Sequence, residues 1–452
     1  MSPVVALVVL AAGGGARVEA GRPEPAAMAA PNAAKKSAQK SLPFIEDDYA
    51  RALAEARARK LPLFVDAWAP WCHTCRFMRA HVFTDPSLAK LGGRFVWLAI
   101  DTEKEANAAF IEKFPIEVWP TLMVIDPAAE EVALSWAGSA NPTQLGKLLE
   151  DGERALGRKQ GKGPEVLLAK ADRLYGRRAP EAIAAYRDVI LRADLTWPRR
   201  ARALESFVMA LARKGDLQEC ATVAGRELPR LPPGPSSANV ALMGLGCAVG
   251  APPDAPWRAG AIAGLFEATM AEVKRPGLLA DDRSSLYDLL VETAKAQGRP
   301  ADARALADEW LRFLEGEAAK APTADARSVF DPHRMSAAIA VGDPARALPP
   351  LLQSEKDLPG DYNPPFRLAV VYGELGRYPE ALAASDRALG KLYGPRKIRA
   401  LEIRADILEK KGDKPAARQT MEQALQVWRT LAKAQRSEKT QARIQAAIDK
   451  LK

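Results

Sequence analysis

Leu63-Phe64-Val65-Asp66-Ala67-Trp68-Ala69-Pro70-Trp71-Cys72-His73-Thr74-Cys75 joins an apolar, strand-like run to two cysteines separated by two residues. Two thiols at this spacing at the start of a helix can close a small disulfide and open it again. The first thiol sits where unpaired backbone N–H groups and the helix dipole favour a thiolate. The pair therefore reads as a redox couple. Half of a zinc site and a pair of buried apolar cysteines are the plainer alternatives. A Cys-x-x-Cys zinc site needs two further ligands, and the remaining candidates are too scattered to nominate them. The sequence thus nominates no metal site and no cofactor.

Outward from the cysteines the chain resembles the thioredoxin family. Residues 65–72 read like that family's strand leading into its active site, 96–101 like the next core strand, and 105–114 like the helix after it. Val118-Trp119-Pro120-Thr121 matches the family's cis-proline loop. Residues 122–125, an acidic turn, 132–136 and Gly138 follow as a closing hairpin. Residues 142–149 start like the terminal helix, with Asn141 as cap and Pro142 at its first position. The likeness spans 43–152, within an α/β domain placed at 43–155.

The resemblance implies a role for each matched residue. Cys72 is the exposed nucleophile that attacks a substrate disulfide, and Cys75 is the more buried thiol that resolves the mixed disulfide. Asp66 is a buried carboxylate below Cys75, raised in pKa by desolvation and suited to take the Cys75 proton. Pro120 is cis and faces the cysteines, leaving backbone free to pair with an extended substrate. Trp71, His73, Trp119 and Thr121 complete the substrate-binding set.

Three departures from the family pattern matter. His73-Thr74 replaces the common Gly-Pro between the cysteines. A cationic imidazole there would stabilise the Cys72 thiolate and make the disulfide more oxidising, whereas a neutral one would do little. Trp97 stands where the family often carries a lysine near the buried carboxylate. Residues 76–86 are longer than the corresponding thioredoxin helix and are similar to the reducing domains of exported thiol–disulfide interchange proteins. That likeness favours a reductase. His81 reads as a surface or packing residue.

At the N-terminus, residues 3–12 form an apolar run of signal-peptide length, too short to span a bilayer, and Val18-Glu19-Ala20 offers a small-x-small cleavage site. A basic segment ahead of the run is missing. The expectation is a signal peptide over 1–20, a flexible Ala/Pro/Lys linker over 21–42, and an exported, periplasmic bacterial protein that is not integral to the membrane.

The remaining length is enough for a second core and carries almost no strand signal. Gly298, Gly342, Gly376 and Gly412 are each followed five residues later by an alanine: Ala303, Ala347, Ala381 and Ala417. Gly215 is followed at the same offset by Cys220, and the N-terminal copies around Gly176 and Gly215 are weaker. Glycine ends the first helix of a hairpin, and a small residue lets the second helix pack close. Helix pairs at this spacing resemble the tetratricopeptide repeat (TPR), matched best by Ala369, Tyr372, Gly376, Tyr378, Ala381 and Ala388. The expected architecture is an α/β thioredoxin-like domain followed by an all-α, TPR-like solenoid over 164–452, with five to seven hairpins in a right-handed stack. Residues 229–256 are expected to hold an irregular connection with a short helix near 239–249. His333, beside Pro332, reads as a surface residue at an inter-repeat turn. Cys220 and Cys247 could be bridged, but Cys220 in an alanine slot argues for a small packing residue.

The net charge is +9, with basic residues spread over amphipathic helices. Neither a basic stripe nor an aromatic platform speaks for nucleic acid. The expected activity is exported thiol–disulfide exchange by Cys72 and Cys75, more reductase than oxidase. The expected partners are disulfide-bearing protein substrates, a membrane thiol–disulfide reductase as electron donor, and proteins bound through the repeats. A disulfide oxidase or isomerase, or a repeat scaffold with an accessory redox sensor, are the alternatives. A solenoid that merely packs on the redox module and holds it rigid is the plainer reading of the repeats.

Overall fold

The computed structural model describes residues 42–157 and 163–451. The expected signal peptide and all but the last residue of the linker lie outside the described residues. The α/β module is a five-stranded sheet in the order β1-β3-β2-β4-β5. Its strands are β1 (Phe44–Glu46), β2 (Leu63–Trp68), β3 (Val96–Asp101), β4 (Thr121–Asp126) and β5 (Glu131–Ala137). β1 and β2 run parallel to β3, β4 runs antiparallel to β2, and β5 antiparallel to β4. The central strands β2 and β3 are covered on both faces, which is why they read as unbroken apolar runs.

Alternation along β2 separates the two faces. Leu63, Val65 and Ala67 pack with Ala52 and Ala56 of α1 (Tyr49–Arg59) and with Phe110 of a later helix, whereas Phe64 packs on the opposite face with Met78, Trp97 and Leu145. Asp66 shares that second face. The chain leaves β2 through Pro70 and Trp71 and enters α2 (His73–Phe77), which continues as a π-helical turn, Met78–Val82. The expected helix over 105–114 is a 3₁₀ turn, Glu105–Asn107, followed by α3 (Ala108–Lys113). The terminal helix α4 (Pro142–Leu156) begins where Asn141 Oδ1 accepts from the Gln144 N–H at 2.8 Å.

The rest is helical. Seven successive pairs can be traced among the described residues: α5 (Pro164–Gly176) with α6 (Ala182–Arg192), α7 (Arg200–Lys214) with α8 (Leu217–Glu227), and α9 (Pro235–Val249) with α10 (Arg258–Glu272). They continue with α11 (Ala280–Ala296) and α12 (Pro300–Lys320), then, after a short α13 (Ala324–Ser328), with α14 (Asp331–Val341) and α15 (Leu348–Asp357). α16 (Asn363–Glu374) with α17 (Tyr378–Leu389) and α18 (Arg396–Lys410) with α19 (Lys414–Thr430) complete the pairs, and α20 (Glu438–Lys450) closes the array. Gly215, Gly298, Gly342, Gly376 and Gly412 all adopt positive φ, between 69° and 92°, at the ends of first helices. The partners five residues on, Cys220, Ala303, Ala347, Ala381 and Ala417, are all buried.

Two expectations about the middle of the array are corrected. The stretch 229–256 is not mainly irregular: α9 starts at Pro235, and it packs against both α8 and α10 as a regular first helix. Cys220 does more than pack, because it is joined by a disulfide to Cys247 and ties α8 to α9. Gly176 also departs from the other copies. It lies within α5 against β5, where a Cβ would sit 2.6 Å from Val132, and Arg178 makes the turn instead with φ 57°.

The array does not stand off from the α/β module. α5 packs on β5 and α4, so Trp136, Leu145, Leu168 and Tyr186 belong to one continuous apolar core. Farther along, α11 and α13 reach α2, and a 3₁₀ turn before α20, Lys433–Gln435, reaches α3. Among the described residues no helix is long and apolar enough to cross a membrane.

Replacing Cys220 and Cys247 together by alanine should lower unfolding stability by about 3.5 kcal/mol, the loop-closure value for a bridge between residues 27 apart. Urea denaturation checks it, with exchange at Cys72–Cys75 expected to be unchanged.

Candidate active site

Cys72 caps the start of α2, with its Sγ accepting from the Cys75 N–H at 3.0 Å, and the two cysteines are joined by a disulfide. Cys75 is fully buried. Cys72, expected to be exposed, is only 5% exposed. That is a correction, and its cause lies in the helical array. Of the segment 70–76, every residue other than the cysteines contacts it. Asn363 Nδ2 donates to the Pro70 carbonyl at 3.0 Å, and Trp71 packs against Tyr362 and Phe366 beneath the Arg396 guanidinium. Arg76 pairs with Asp361 at 2.6 Å and donates to Ser328 at 2.8 Å. His73 and Thr74 meet Asp281.

The proline loop lies beside the disulfide. The Trp119–Pro120 peptide is cis, and Trp119 belongs to the same apolar cluster as Cys72 and Cys75. Trp119 packs on Trp71 with ring centroids 5.3 Å apart and donates to Thr102 Oγ1 at 2.8 Å. Thr121 opens β4 opposite Ala67 and bonds back to the Val118 carbonyl at 2.7 Å.

Asp66 is wholly buried, and neither carboxylate oxygen has a hydrogen-bond partner. Burial pushes its pKa up to about 7, against the opposing charge of Arg79 and with a further push from Glu46. Trp97 fills its position as pure core, with its indole N–H donating to the Gly92 carbonyl. The cation near Asp66 is instead Arg79, 3.9 Å away and stacked on Trp68. Its spacing of four residues after Cys75 was the available signal, since that spacing shares a helix face.

His73 is held from the array. Its Nδ1 lies 2.7 Å from Asp281 Oδ1, while Thr74 Oγ1 donates to Asp281 Oδ2 at 2.7 Å. Burial lowers the affinity of the imidazole for a proton, but the charge and hydrogen bond of Asp281 outweigh it, and the His73 pKa is raised. Asp281 is correspondingly lowered: burial opposes its ionisation, and the charge and hydrogen bond of His73 and the hydrogen bond from Thr74 overcome that. His333 is not on the surface. It is 6% exposed, its ring centroid is 4.0 Å from that of His73, and its Nδ1 bonds Ser284 Oγ, which Trp310 also contacts. Burial and His73 hold it neutral, with a pKa well below the ordinary histidine value. His73, Asp281 and His333 bring ligand-type atoms within 4.8 Å of one another. Within the group, His73 Nδ1 and both Asp281 oxygens are engaged with each other and with Thr74, and His333 Nδ1 with Ser284. His81 stacks on Phe77, a packing role.

A second latch lies beyond Trp71. Glu103 accepts from the Trp71 indole N–H at 2.8 Å and from the Arg396 backbone N–H at 2.6 Å. Tyr393 donates to Asp101, and Gln435 donates to the Thr102 carbonyl at 3.0 Å. Gly394, at φ 60°, presses so close that a Cβ would lie 2.1 Å from the Glu103 carbonyl oxygen. Beside the latches a cleft of about 420 Å³ opens between the domains, lined by Trp68, Pro70, Arg76, Arg79, Asp361 and Asn363 among others. None of the array's contributions carried a sequence signal, because they arise from contacts at separations of more than 200 residues.

Residues 45–127 match the family model described as Thioredoxin-like. Over 83 residues (18% of this chain) the sequence is 34% identical to thiol:disulfide interchange protein DsbD 2 of Pseudomonas aeruginosa. Over 77 residues (17%) it is 34% identical to thioredoxin C-3 of Corynebacterium nephridii. These matches cover 14% and 50% of the relatives' own lengths. Among solved structures, the chain is similar to a tetratricopeptide repeat protein from Parabacteroides merdae (TM-score 0.42, 12% identity, 64% of this chain and 99% of that one). It is also similar to the APC/C hetero-tetramer Cut9–Hcn1 (TM-score 0.31, 15% identity, 68% of this chain and 53% of that one). The chain thus carries a thioredoxin-like domain, with Asp66, Cys72, Cys75 and Pro120 inside the matched segment, and the helix pairs described above follow it.

Two outcomes follow from this geometry. Because the Asp66 pKa is higher folded than unfolded, its contribution to stability is full below about pH 4 and is lost as pH rises through about 7. Asp66→Asn should therefore gain stability relative to wild type between pH 4 and pH 8, by up to about 4 kcal/mol; parallel denaturant titrations at the two pH values check it. Gly394→Ala should lift the 393–396 loop off Glu103, and Cys72 in the reduced protein should then alkylate at least several-fold faster than in wild type.

Proposed function

We propose that this protein is an exported thiol–disulfide oxidoreductase that reduces disulfides of client proteins. The observation that carries the proposal is a Cys-x-x-Cys couple capping a helix beside a cis-proline loop, with an orphaned carboxylate buried on the sheet face that the couple's helix covers. The Pseudomonas relative, itself named a thiol:disulfide interchange protein, supports the same chemistry.

In the proposed cycle the Cys72 thiolate attacks one sulfur of a client disulfide, forming a mixed disulfide and expelling the other client sulfur as a thiolate. Cys75 then loses its proton to Asp66, whose pKa of about 7 suits it to accept one near neutrality. The Cys75 thiolate attacks Cys72 Sγ and releases the second client thiolate. Two electrons have passed to the client, and the Cys72–Cys75 disulfide must be reduced again by a dithiol donor, for which a membrane thiol–disulfide reductase is proposed. Pro120 and Thr121 would present backbone to the client segment, with Trp71, His73 and Trp119 around it. A cationic His73 raises the potential of the couple, which suits clients whose disulfides are more oxidising than its own. The helical pairs are proposed to bind those clients or partners.

A second reading is favoured by the burial of Cys72. The redox state of the couple would be sensed by the array, which would undock or change partners when the disulfide opens. The two are separated by client turnover. Cys72→Ser should abolish reduction of a protein disulfide, and Cys75→Ser should accumulate a covalent Cys72–client adduct on non-reducing gels. Full turnover by Cys72→Ser would overturn the enzyme assignment.

A further inference from the structure

One carboxylate of the array grips both residues between the cysteines. Asp281 stands in the first turn of α11, more than 200 residues away in sequence, and offers Oδ1 to His73 and Oδ2 to Thr74, each at 2.7 Å. Its side chain is almost completely buried, and the start of α11 favours negative charge there. The carboxylate thus fixes the His73 ring through Nδ1, next in sequence to the nucleophile. We infer that Asp281 is a positioning residue of the redox site, orienting His73 beside Cys72 so that the helical array sets the redox poise of the couple.

Every group around His73 belongs in this account. Asp281 and Asp288 favour its charged form, and Arg367 opposes it. His333, whose ring packs against it at a tilt of 54°, is neutral. Asp282, next to Asp281, turns away to accept from Ser139, and burial pushes its pKa up to about 7. The carboxylate in contact with the ring is the one whose affinity for protons is lowered. An imidazolium held at the helix start stabilises the adjacent thiolate, and hence the reduced form. The array would then contribute electrostatics to the chemistry beyond any client binding.

The inference rests on the thiol–disulfide activity proposed above, and the experiment separates the two. Wild type, Asp281→Asn, His73→Ala, the double variant and Asp282→Asn are equilibrated against glutathione buffers, and Cys72 thiolate is titrated by its ultraviolet absorbance. Asp281→Asn should shift the equilibrium constant about tenfold towards the disulfide, equivalent to about 30 mV, and move the thiolate titration to higher pH. His73→Ala should shift both the same way, and the double variant should match His73→Ala alone. Asp282→Asn should leave both unchanged. If Asp281→Asn stays within twofold of wild type, or adds its full effect on top of His73→Ala, the inference is overturned. If the wild type itself never exchanges with glutathione, the proposed activity fails instead. Histidine-labelled NMR on wild type covers the case of a variant that does not fold. His73 should titrate above about 6.5, the ordinary histidine value, and a value at or below it overturns the inference.

Discussion

The docking of Asp281 onto His73 and Thr74 is the contact on which the architecture of this site depends. It is buried, it joins two domains, and it is made by the dipeptide that distinguishes one Cys-x-x-Cys site from another. Around it the other latches fall into place: Asn363 on Pro70, Asp361 on Arg76, and Arg396 over Trp71. Cys72 is covered because its flanking residues are all spoken for. On the function proposed above, a client disulfide would reach Cys72 only where those latches yield, so the array that buries the couple would also govern access to it.

Burial has an electrostatic consequence that runs through the whole junction. Asp66, Asp282 and Glu205 are all buried acids whose carboxyls are pushed up to about 7 or 8, chiefly by loss of water. Each costs stability as it ionises, so the junction holds protons near neutrality. Asp281 goes the other way, because His73 and Thr74 overcome the burial that opposes its ionisation, as Arg76 does for Asp361. The contrast between Asp281 and Asp282, neighbours on one helix turn, shows that partner geometry rather than burial decides which carboxylate carries charge.

Much of this was legible in the sequence. The run 63–75 already showed a buried strand feeding a Cys-x-x-Cys helix, because β2 is apolar on both faces and Asp66 interrupts it. The glycine–alanine spacing announced the helix pairs, because a left-handed residue must end each first helix and a small one must face it. The copy around Gly176 is weak because that glycine is required by close packing on Val132 and not by a turn. Cys220 looked like an alanine substitute because its slot demands a small residue, a demand that a bridge to Cys247 also satisfies. His333 and Cys72 were misjudged for one reason. Pro332 lies in the first turn of α14, a position compatible with either exposure or burial. Docking between segments more than 200 residues apart buries Cys72 and brings His73 onto His333, which Ser284 and Trp310 of neighbouring helices also cover, and no periodicity or local motif records such contacts.

The central claim is that the segment between Pro70 and Arg76 is docked under the helical array as one composite site. Native-state amide hydrogen exchange across that segment tests it most directly. The account predicts that amides of 73–76 exchange as slowly as those near the start of α11 and are released together with them. Exchange of 73–76 at the rate of an exposed loop, while the start of α11 stays protected, would contradict it.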